Sequence, residues 1–243
     1  MALAGLSSAP ALAHRDDYLN ETFVFQTLAA REFEPELWLD YAPGTDDRPR
    51  FTAYALAFEY GMTEHWMVDG FAGWIDPAGE DPSLQRLRAE TRVRFGEEGD
   101  RLVDVAASFE VEYEKEKELL ARDSSAQPEV EKDLSLTSRL VLSRDLPHEL
   151  NVTLNLDLTR ELREDRADRW TPGFALAARY PREAFLRYGL ELRQDFGEER
   201  ESLLVPQVWF SFPHEATLKL GAGIDLDGSR RQHFLRMVYE MEF

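Results

Sequence analysis

The chain has 243 residues, enough for one or two domains, and 43% of them are hydrophobic, which is an ordinary fraction. Its formal net charge of −19 argues against binding to nucleic acid or to anionic lipid headgroups, both of which need a basic surface, and solvated acidic loops explain it most simply. The absence of cysteine excludes disulfides and thiolate chemistry, and no apolar run reaches the roughly 18 residues of a transmembrane helix.

The first residues are typical of the end of a secretory signal peptide. Residues 1–13 finish in Ala-Pro-Ala-Leu-Ala, a small-x-small cleavage pattern before His14. The expected basic region is missing, so a disordered tail is the alternative. Residues 14–31 contain Phe23, Val24 and Phe25 in a run that breaks the later alternation, and we interpret them as a periplasmic lead-in or a short plug.

Apolar and polar residues alternate with a period of two from Glu32 onward, and this pattern predicts a series of β-strands. In the first strand Phe33 and Leu37 fall on one side, and Glu34 and Glu36 on the other. The strands are predicted near residues 32–41, 50–60, 66–75, 84–95, 101–113, 133–144, 149–159, 171–180, 184–194, 202–212, 216–226 and 232–243. About twelve antiparallel strands form an all-β chain with the even number that single-chain bacterial barrels have, so residues 32–243 are predicted to be one transmembrane β-barrel.

The connections between these strands alternate in length. Tight turns are predicted at residues 61–65, 96–100, 145–148, 181–183 and 213–215. The other connections are longer, up to the charged stretch 114–132. Short turns on one side and long loops on the other are the asymmetry of a membrane barrel, with both termini on the short-turn side. Aromatic residues near the predicted strand ends, such as Tyr41, Tyr60 and Tyr180, are typical of interfacial belts.

The last strand presents an apolar and a charged face and ends in an aromatic residue. Leu235, Met237 and Tyr239 lie on the apolar face, and the chain finishes at Phe243. This strand resembles the closing strand of Gram-negative outer-membrane β-barrels. The resemblance implies that Tyr239 and Phe243 form an assembly signal, that the short turns are periplasmic, and that the protein resides in the bacterial outer membrane. Its expected partners are then outer-membrane lipid, lipopolysaccharide and the assembly machinery.

Two further segments carry a narrower resemblance. Residues 58–66, Phe-Glu-Tyr-Gly-Met-Thr-Glu-His-Trp, and residues 92–100, Arg-Val-Arg-Phe-Gly-Glu-Glu-Gly-Asp, look like strand-turn-strand junctions of small porin-like proteins. That group is loosely associated with the degradation or transport of aromatic compounds.

If the apolar face meets lipid, the polar face lines the interior of the barrel. Carboxylates outnumber basic residues on this predicted inner face, and Arg86, Arg88, Arg92 and Arg94 form a row opposite Asp104, Glu110 and Glu112, with which we expect cross-strand pairing. The predicted pore-lining residues are Arg86, Arg88, Glu90, Arg92, Arg94, Asp104, Glu110, Glu112, Arg139, Asp157, Arg187, Glu191, Arg193, Lys219, Asp225, Arg236 and Glu240.

No catalytic, metal or cofactor motif is evident. His65, His148 and His214 lie in predicted turns, too dispersed for one metal site, and only His233 with nearby Ser229 could serve a lipid-modifying enzyme at the outer rim. No phosphate-binding or dinucleotide-binding glycine loop is present. We therefore predict neither a cofactor nor an enzyme.

Three functions remain open from the sequence. The first is a passive channel for small solutes with a mild cation preference. The second is a non-conducting structural or complex-forming barrel, and the third, more distant, is a lipid-modifying enzyme. At the level of fold, the alternative is a soluble β-protein whose apolar face forms a closed core.

Overall fold

The computed structural model describes residues 17–44, 50–77, 81–117, 130–162, 169–197, 201–213, 215–227 and 233–243. These residues form twelve strands and no helix. The strands are β1 (Phe33–Ala42), β2 (Phe51–Thr63), β3 (Trp66–Pro77), β4 (Ser83–Arg94), β5 (Asp104–Lys117), β6 (Val130–Leu146), β7 (Leu150–Leu162), β8 (Arg169–Tyr180), β9 (Leu186–Asp195), β10 (Glu201–Phe212), β11 (Ala216–Asp225) and β12 (Phe234–Met241).

The strands close into one antiparallel barrel. Each strand pairs with its sequence neighbours, and β12 pairs with β1, where Leu37 lies opposite Tyr239. Beyond this ladder, Phe33 and Phe243 exchange two backbone hydrogen bonds of 3.2 and 3.0 Å, so the last residue extends the seam. Closure leaves no free sheet edge, which satisfies the backbone of a spanning barrel. The predicted all-β, antiparallel barrel of about twelve strands is confirmed.

The alternation of side chains gives the wall an apolar outside and a polar inside. On β7, Leu156 is 44% exposed whereas its neighbour Asn155 is fully buried, and the same contrast recurs around the barrel. A soluble protein would bury the apolar face instead, so that alternative is wrong. Among the described residues there is no helix of the length and apolarity that a membrane crossing needs.

The two ends of the barrel differ. We call the end that carries the β2–β3, β4–β5, β6–β7, β8–β9 and β10–β11 connections the turn end, and the other the loop end. One turn is longer than predicted, because β5 begins at Asp104 rather than near residue 101. Residues 95–103 form this turn, in which Gly96 and Gly99 have positive φ and the Gly99 amide donates to Asp104 Oδ1 at 2.9 Å.

Residues 17–31 lie inside the barrel, and we call them the lumen segment. The segment reaches the wall at the turn end, where the Arg31 amide donates to the Gly61 carbonyl at 2.7 Å. Its tip is a turn closed by hydrogen bonds between Tyr18 and Thr22 and between Glu21 and Tyr18, each of 3.0 Å. Many of its side chains, among them Leu19, Val24 and Leu28, are fully buried, whereas Ala30 and Arg31 are exposed where the segment joins the wall. Residues 1–16, which contain the predicted signal remnant, lie outside the described residues.

Candidate functional site: the occupied lumen

The residues predicted to line a pore all belong to strands, and the strand period directs most of them inward. Those that are buried within the barrel are Arg88, Glu90, Arg92, Asp104, Glu110, Arg139, Asp157, Arg187, Glu191, Lys219 and Glu240. Arg86, Arg94, Glu112, Arg193, Asp225 and Arg236 are half-buried. The inner wall is therefore rich in charges of both signs, and it surrounds the lumen segment.

Two arginines of β4 bind the two carboxylates of the lumen segment. Arg92 donates to Asp17, with Nη1 3.0 Å from Oδ1, and Arg88 forms an ion pair with Glu21. Arg88 also donates to Asp69 Oδ1 at 3.1 Å. Charge-assisted hydrogen bonds of this kind are stronger than neutral ones. The predicted row of arginines is thus a docking surface for the segment.

Of the predicted pairs between β4 and β5, one forms: Arg86 with Glu112. The register also places Arg88 opposite Glu112, but Arg88 binds Glu21 and Asp69 instead. Arg92 lies opposite Ser108 and binds Asp17. Glu110 instead lies 3.8 Å from Arg139 on β6. Arg94 pairs with Glu97 in the adjoining turn at 3.0 Å.

Aromatic residues of the lumen segment pack against the wall arginines. The Phe23 ring lies between Arg92 and Arg139, each guanidinium 4.1 Å from the ring centroid, and Arg94 lies 5.8 Å from the centroid of Phe25. Cation–π contacts are strongest where water is excluded, as it is around these buried rings. The run Phe23 to Phe25 therefore anchors the segment.

The tip of the lumen segment is held by β9, β10 and β12. Glu191 accepts hydrogen bonds from the Asn20 amide at 2.7 Å and from the Thr22 hydroxyl at 2.7 Å. Gln207 accepts from the Leu19 amide at 3.0 Å, and Arg236 donates to the Leu19 carbonyl at 3.3 Å. These bonds satisfy backbone groups that would otherwise be buried without partners.

Apolar contacts complete the filling of the lumen. Tyr18 packs edge-on against Trp209, with ring centroids 5.6 Å apart, and its hydroxyl donates to Asn151 at 3.1 Å. Leu19 packs with Trp38 and with the small residues Ala55 and Ala57 of β2. Small inward side chains on the wall leave the volume that the segment fills.

Two glycines of the wall are required by the close approach of the lumen segment. A Cβ atom on Gly61 would overlap the carbonyl oxygen of Ala29, and one on Gly221 would overlap the Leu19 side chain. Neither glycine has a positive φ, so space rather than backbone conformation explains them.

The remaining predicted pore residues pair mainly with one another. Arg139 donates to Asp157 at 2.7 Å, and Arg193 lies 3.5 Å from the other oxygen of that carboxylate. Lys219 lies 2.6 Å from Glu240. Three others contact residues outside the predicted set. Arg187 lies 4.8 Å from the Trp209 ring centroid, and Arg236 donates to Asp40 through two bonds of 2.7 Å. The Asp225 amide donates to His233 Nδ1 at 3.3 Å.

The pKa of Glu21 reflects this environment. Burial raises the pKa of the Glu21 carboxyl, but Arg88 and Arg86 outweigh burial and hold the pKa well below its ordinary value. Glu21 is therefore ionised when the segment is docked. Its backbone adopts φ 62°, an uncommon conformation for glutamate, at the tip where these ion pairs form.

Sequence reasoning missed the partners that the lumen segment supplies. Asp17 and Glu21 were not among the predicted site residues, nor were Gln207 and Trp209. The available signal was that two acidic residues, Asp17 and Glu21, precede the apolar run Phe23 to Phe25 ahead of the regular strands. Which wall residues they meet depends on the path of the segment through the barrel.

The terminal residues and the histidines occupy peripheral positions. Tyr239 and Phe243 are exposed on the outside of the barrel, and their role in assembly stays a prediction. His65 lies 2.9 Å from Glu97, between two turns of the turn end. His14, His214, Ser229 and most of the charged stretch 114–132 lie outside the described residues, so the outer-rim arrangement of His233 with Ser229 is not described.

Comparison with known proteins identifies solved structures that share this architecture. No family model and no curated protein sequence matches the chain. Solved structures do match: the COG4313 outer membrane channel from Pseudomonas putida F1 is 12% identical, with 90% of this chain and 98% of that chain covered and a TM-score of 0.61. The KdgM porin in complex with disordered oligogalacturonate is 10% identical, with 87% and 99% covered and a TM-score of 0.55. The beta domain of the Bordetella autotransporter BrkA is 11% identical, with 88% and 100% covered and a TM-score of 0.52.

Identities this low establish the fold and not the activity. The predicted resemblance to outer-membrane β-barrels is confirmed at the level of the fold. The narrower resemblance to the group associated with aromatic compounds stays a prediction. This chain has the fold that bacteria use to span the outer membrane, with a charged interior and a segment of its own chain inside it.

Proposed function

We propose that the protein is a channel for small solutes in the bacterial outer membrane and that the lumen segment closes it. The observation that carries this proposal is the attachment of the segment to a wall charged with both signs, through polar contacts such as Asp17 with Arg92. A barrel that needed only a filled core would be served by apolar side chains, since buried ion pairs add little net stability. Two of the similar solved structures are a channel and a porin, which supports the same reading.

A mild cation preference follows from the charge of the open interior. Carboxylates outnumber basic groups on the inner face, and the formal charge of the whole chain is −19. Charge along a narrow pathway with low-dielectric walls acts strongly on passing ions. With the lumen segment displaced, Arg88 and Arg92 lose Glu21 and Asp17 as partners, which adds positive charge to the interior, so the preference is moderate.

The second candidate is a non-conducting structural barrel. The complete burial of Tyr18, Leu19 and Phe25 favours it, because a segment packed this closely leaves little room for solute. Under either function, outer-membrane lipid, lipopolysaccharide and the assembly machinery are the expected partners, the last through Tyr239 and Phe243.

Planar-bilayer recording separates the two candidates. The full chain and a variant without residues 17–28, which keeps the Arg31 and Glu32 contacts to Gly61, are refolded and inserted. A gated channel gives rare openings for the full chain and sustained conductance for the variant. A folded variant that inserts but conducts no ions would contradict the channel and leave the structural barrel.

A further inference from the structure

Main-chain groups of the lumen segment are bound by side chains of the inner wall. Three amides of the segment donate to them: Leu19 to Gln207 at 3.0 Å, Asn20 to Glu191 at 2.7 Å and Phe25 to Ser143 at 3.1 Å. Two carbonyls of the segment accept from wall cations: Asp17 from Lys219 at 2.7 Å and Leu19 from Arg236 at 3.3 Å. Amides and carbonyls are common to all peptides, so this part of the wall recognises a peptide main chain.

Side chains of the segment occupy further positions on the wall. The Arg92 guanidinium holds both oxygens of the Asp17 carboxylate, at 3.0 and 2.5 Å, and Arg88 forms an ion pair with Glu21. The centroid of the Phe23 ring lies 4.1 Å from the same Arg92 guanidinium. A planar guanidinium fits a carboxylate with its edge and an aromatic ring with its face. These arginines therefore favour a peptide that carries acidic and aromatic residues.

Arg92 depends on the segment for its closest carboxylate. Its side chain is 1% exposed, and the residue opposite it on β5 is Ser108. Its ion pair with Glu90 is longer, at 3.8 Å against 2.5 Å for Asp17, and Glu90 also lies 3.6 Å from Arg139. Separating a buried ion pair leaves an uncompensated charge, which is strongly unfavourable. Departure of the segment therefore costs less when another carboxylate replaces Asp17.

We propose that the sites filled by residues 17–25 bind short acidic peptides that enter the barrel and displace the lumen segment. The inference rests on the channel proposed above and names its class of solute. Charge of both signs on the wall suits such a solute, because Glu191 binds amides while Arg88 and Arg92 bind carboxylates. A dicarboxylate without amide groups fills only the arginine sites.

Fluorescence anisotropy of a labelled peptide tests these sites. The peptide carries residues 17–25 with both ends blocked, and the protein is the full chain refolded in detergent. Saturable binding is expected to be at least about tenfold tighter to the full-chain variant Asp17→Asn with Glu21→Gln than to the wild type, because its own segment competes less. A peptide that itself carries Asp17→Asn and Glu21→Gln is expected to bind at least about tenfold more weakly.

A wall variant with a matched control locates the bound peptide. Arg92→Gln, added to the full-chain double variant, is expected to lower its affinity for the acidic peptide about tenfold or more. The control is Arg144→Gln in the same background, which removes an arginine that donates to the Arg101 carbonyl at 2.8 Å near the turn end. It is expected to change the affinity by less than about twofold, because it lies apart from the segment.

A competition experiment separates peptides from simple dicarboxylates. Suberate has two carboxylates and no amide group. It is expected to displace the labelled peptide only at concentrations at least about tenfold above those of unlabelled peptide, because it leaves the main-chain partners on the wall unbound.

Limited proteolysis of the unmodified chain protects the test against variants that fail to fold. Added acidic peptide is expected to increase cleavage within the lumen segment until the effect saturates, whereas the peptide with Asn and Gln is expected to leave cleavage unchanged. No increase with the acidic peptide would overturn the displacement.

Three further outcomes would overturn the inference: no binding by the folded double variant, an equal loss of affinity in Arg144→Gln, or competition by suberate as strong as that by unlabelled peptide. Binding is measured in detergent and conductance in bilayers, so the two proposals fail separately. A barrel that conducts ions but binds no peptide contradicts the inference alone, and one that binds peptide without conducting contradicts the channel.

Discussion

At the scale of the residue, the depth of a position on the outer face of the wall determines how much a charged substitution there destabilises the barrel. Leu156 lies in the middle of β7 with its side chain facing outward, whereas Leu150 begins the same strand at the turn end. The two leucines share a face of the sheet and differ in depth. They therefore form a matched pair for testing whether that face meets lipid.

Leu156→Arg is expected to destabilise the barrel by about 2–4 kcal/mol, because the charge lies near the bilayer midplane, and Leu150→Arg by about 0–1 kcal/mol, because it lies near the interface. Equilibrium unfolding in urea with lipid vesicles measures both. Equal losses at the two positions would show that depth in a bilayer does not govern this face.

Gly61 is the second informative residue. Gly61→Ala places a methyl group where the Ala29 carbonyl oxygen lies, so the start of the lumen segment must shift, and overpacking of this kind costs about 1–3 kcal/mol. We expect the segment to become sensitive to added protease while the barrel stays resistant. Gly96→Ala is the control: an added Cβ there meets nothing within 4 Å, although the positive φ of Gly96 adds local strain. We expect this variant to leave the protease resistance of the lumen segment unchanged. If the segment of Gly61→Ala resisted protease as well as that of the wild type, the close packing of Gly61 against Ala29 would be contradicted.

At the scale of the element, the lumen segment is attached by two carboxylates and by the aromatic rings of Phe23 and Phe25. Phe23 packs against arginines of β4 and β6, Phe25 lies near one arginine of β4, and the carboxylates bind arginines of β4. The same strand therefore holds the segment through both kinds of contact. Removing the carboxylate charges tests the ionic part while leaving the aromatic part in place.

The double variant Asp17→Asn and Glu21→Gln is expected to raise the open probability of the channel at least about tenfold, because each lost charge-assisted bond is worth about 1.5–3 kcal/mol and 1.4 kcal/mol is a factor of ten. Single-channel recording measures the change. The control is Glu183→Gln, at an exposed turn where Glu183 pairs with Arg182. A similar rise in the control would show that overall charge, and not docking of the segment, controls opening.

At the scale of the whole molecule, closure of the barrel and the charge of its interior lead to separate expectations. Every strand is paired on both sides, so no edge is available for unzipping. The folded protein is expected to resist SDS until it is boiled and to migrate differently before and after heating. Migration at one position regardless of heating would contradict a stable closed barrel.

The interior is expected to select ions by charge. Replacing Glu110 and Glu112 by Gln removes negative charge from β5 and should shift the reversal potential in a salt gradient toward anions. Replacing Arg88 and Arg92 by Gln should strengthen the cation preference and also raise the open probability, because both arginines bind the lumen segment. Unchanged reversal potentials in both variants would show that β4 and β5 lie away from the constriction.

The sequence by itself determined the architecture of the wall. Strict alternation, as in Leu150 to Leu158, specifies which residues face lipid and which face inward, because the side-chain period of a strand is two. Even spacing of the strands and the closing aromatic strand then led to the barrel and to its number of strands. The inward direction of Arg88, Arg92 and Glu191 follows from the same local rule.

The tertiary structure alone decided what these inward residues contact. Arg92 could pair with a neighbouring strand or with any group inside the lumen, and it binds Asp17, which is 75 residues away in sequence. The pairing of Glu36 with Glu240 across the seam likewise requires β12 to close on β1, a contact between the two ends of the chain. Periodicity is a local property, whereas register across the seam and the path of the lumen segment depend on the packing of the whole barrel.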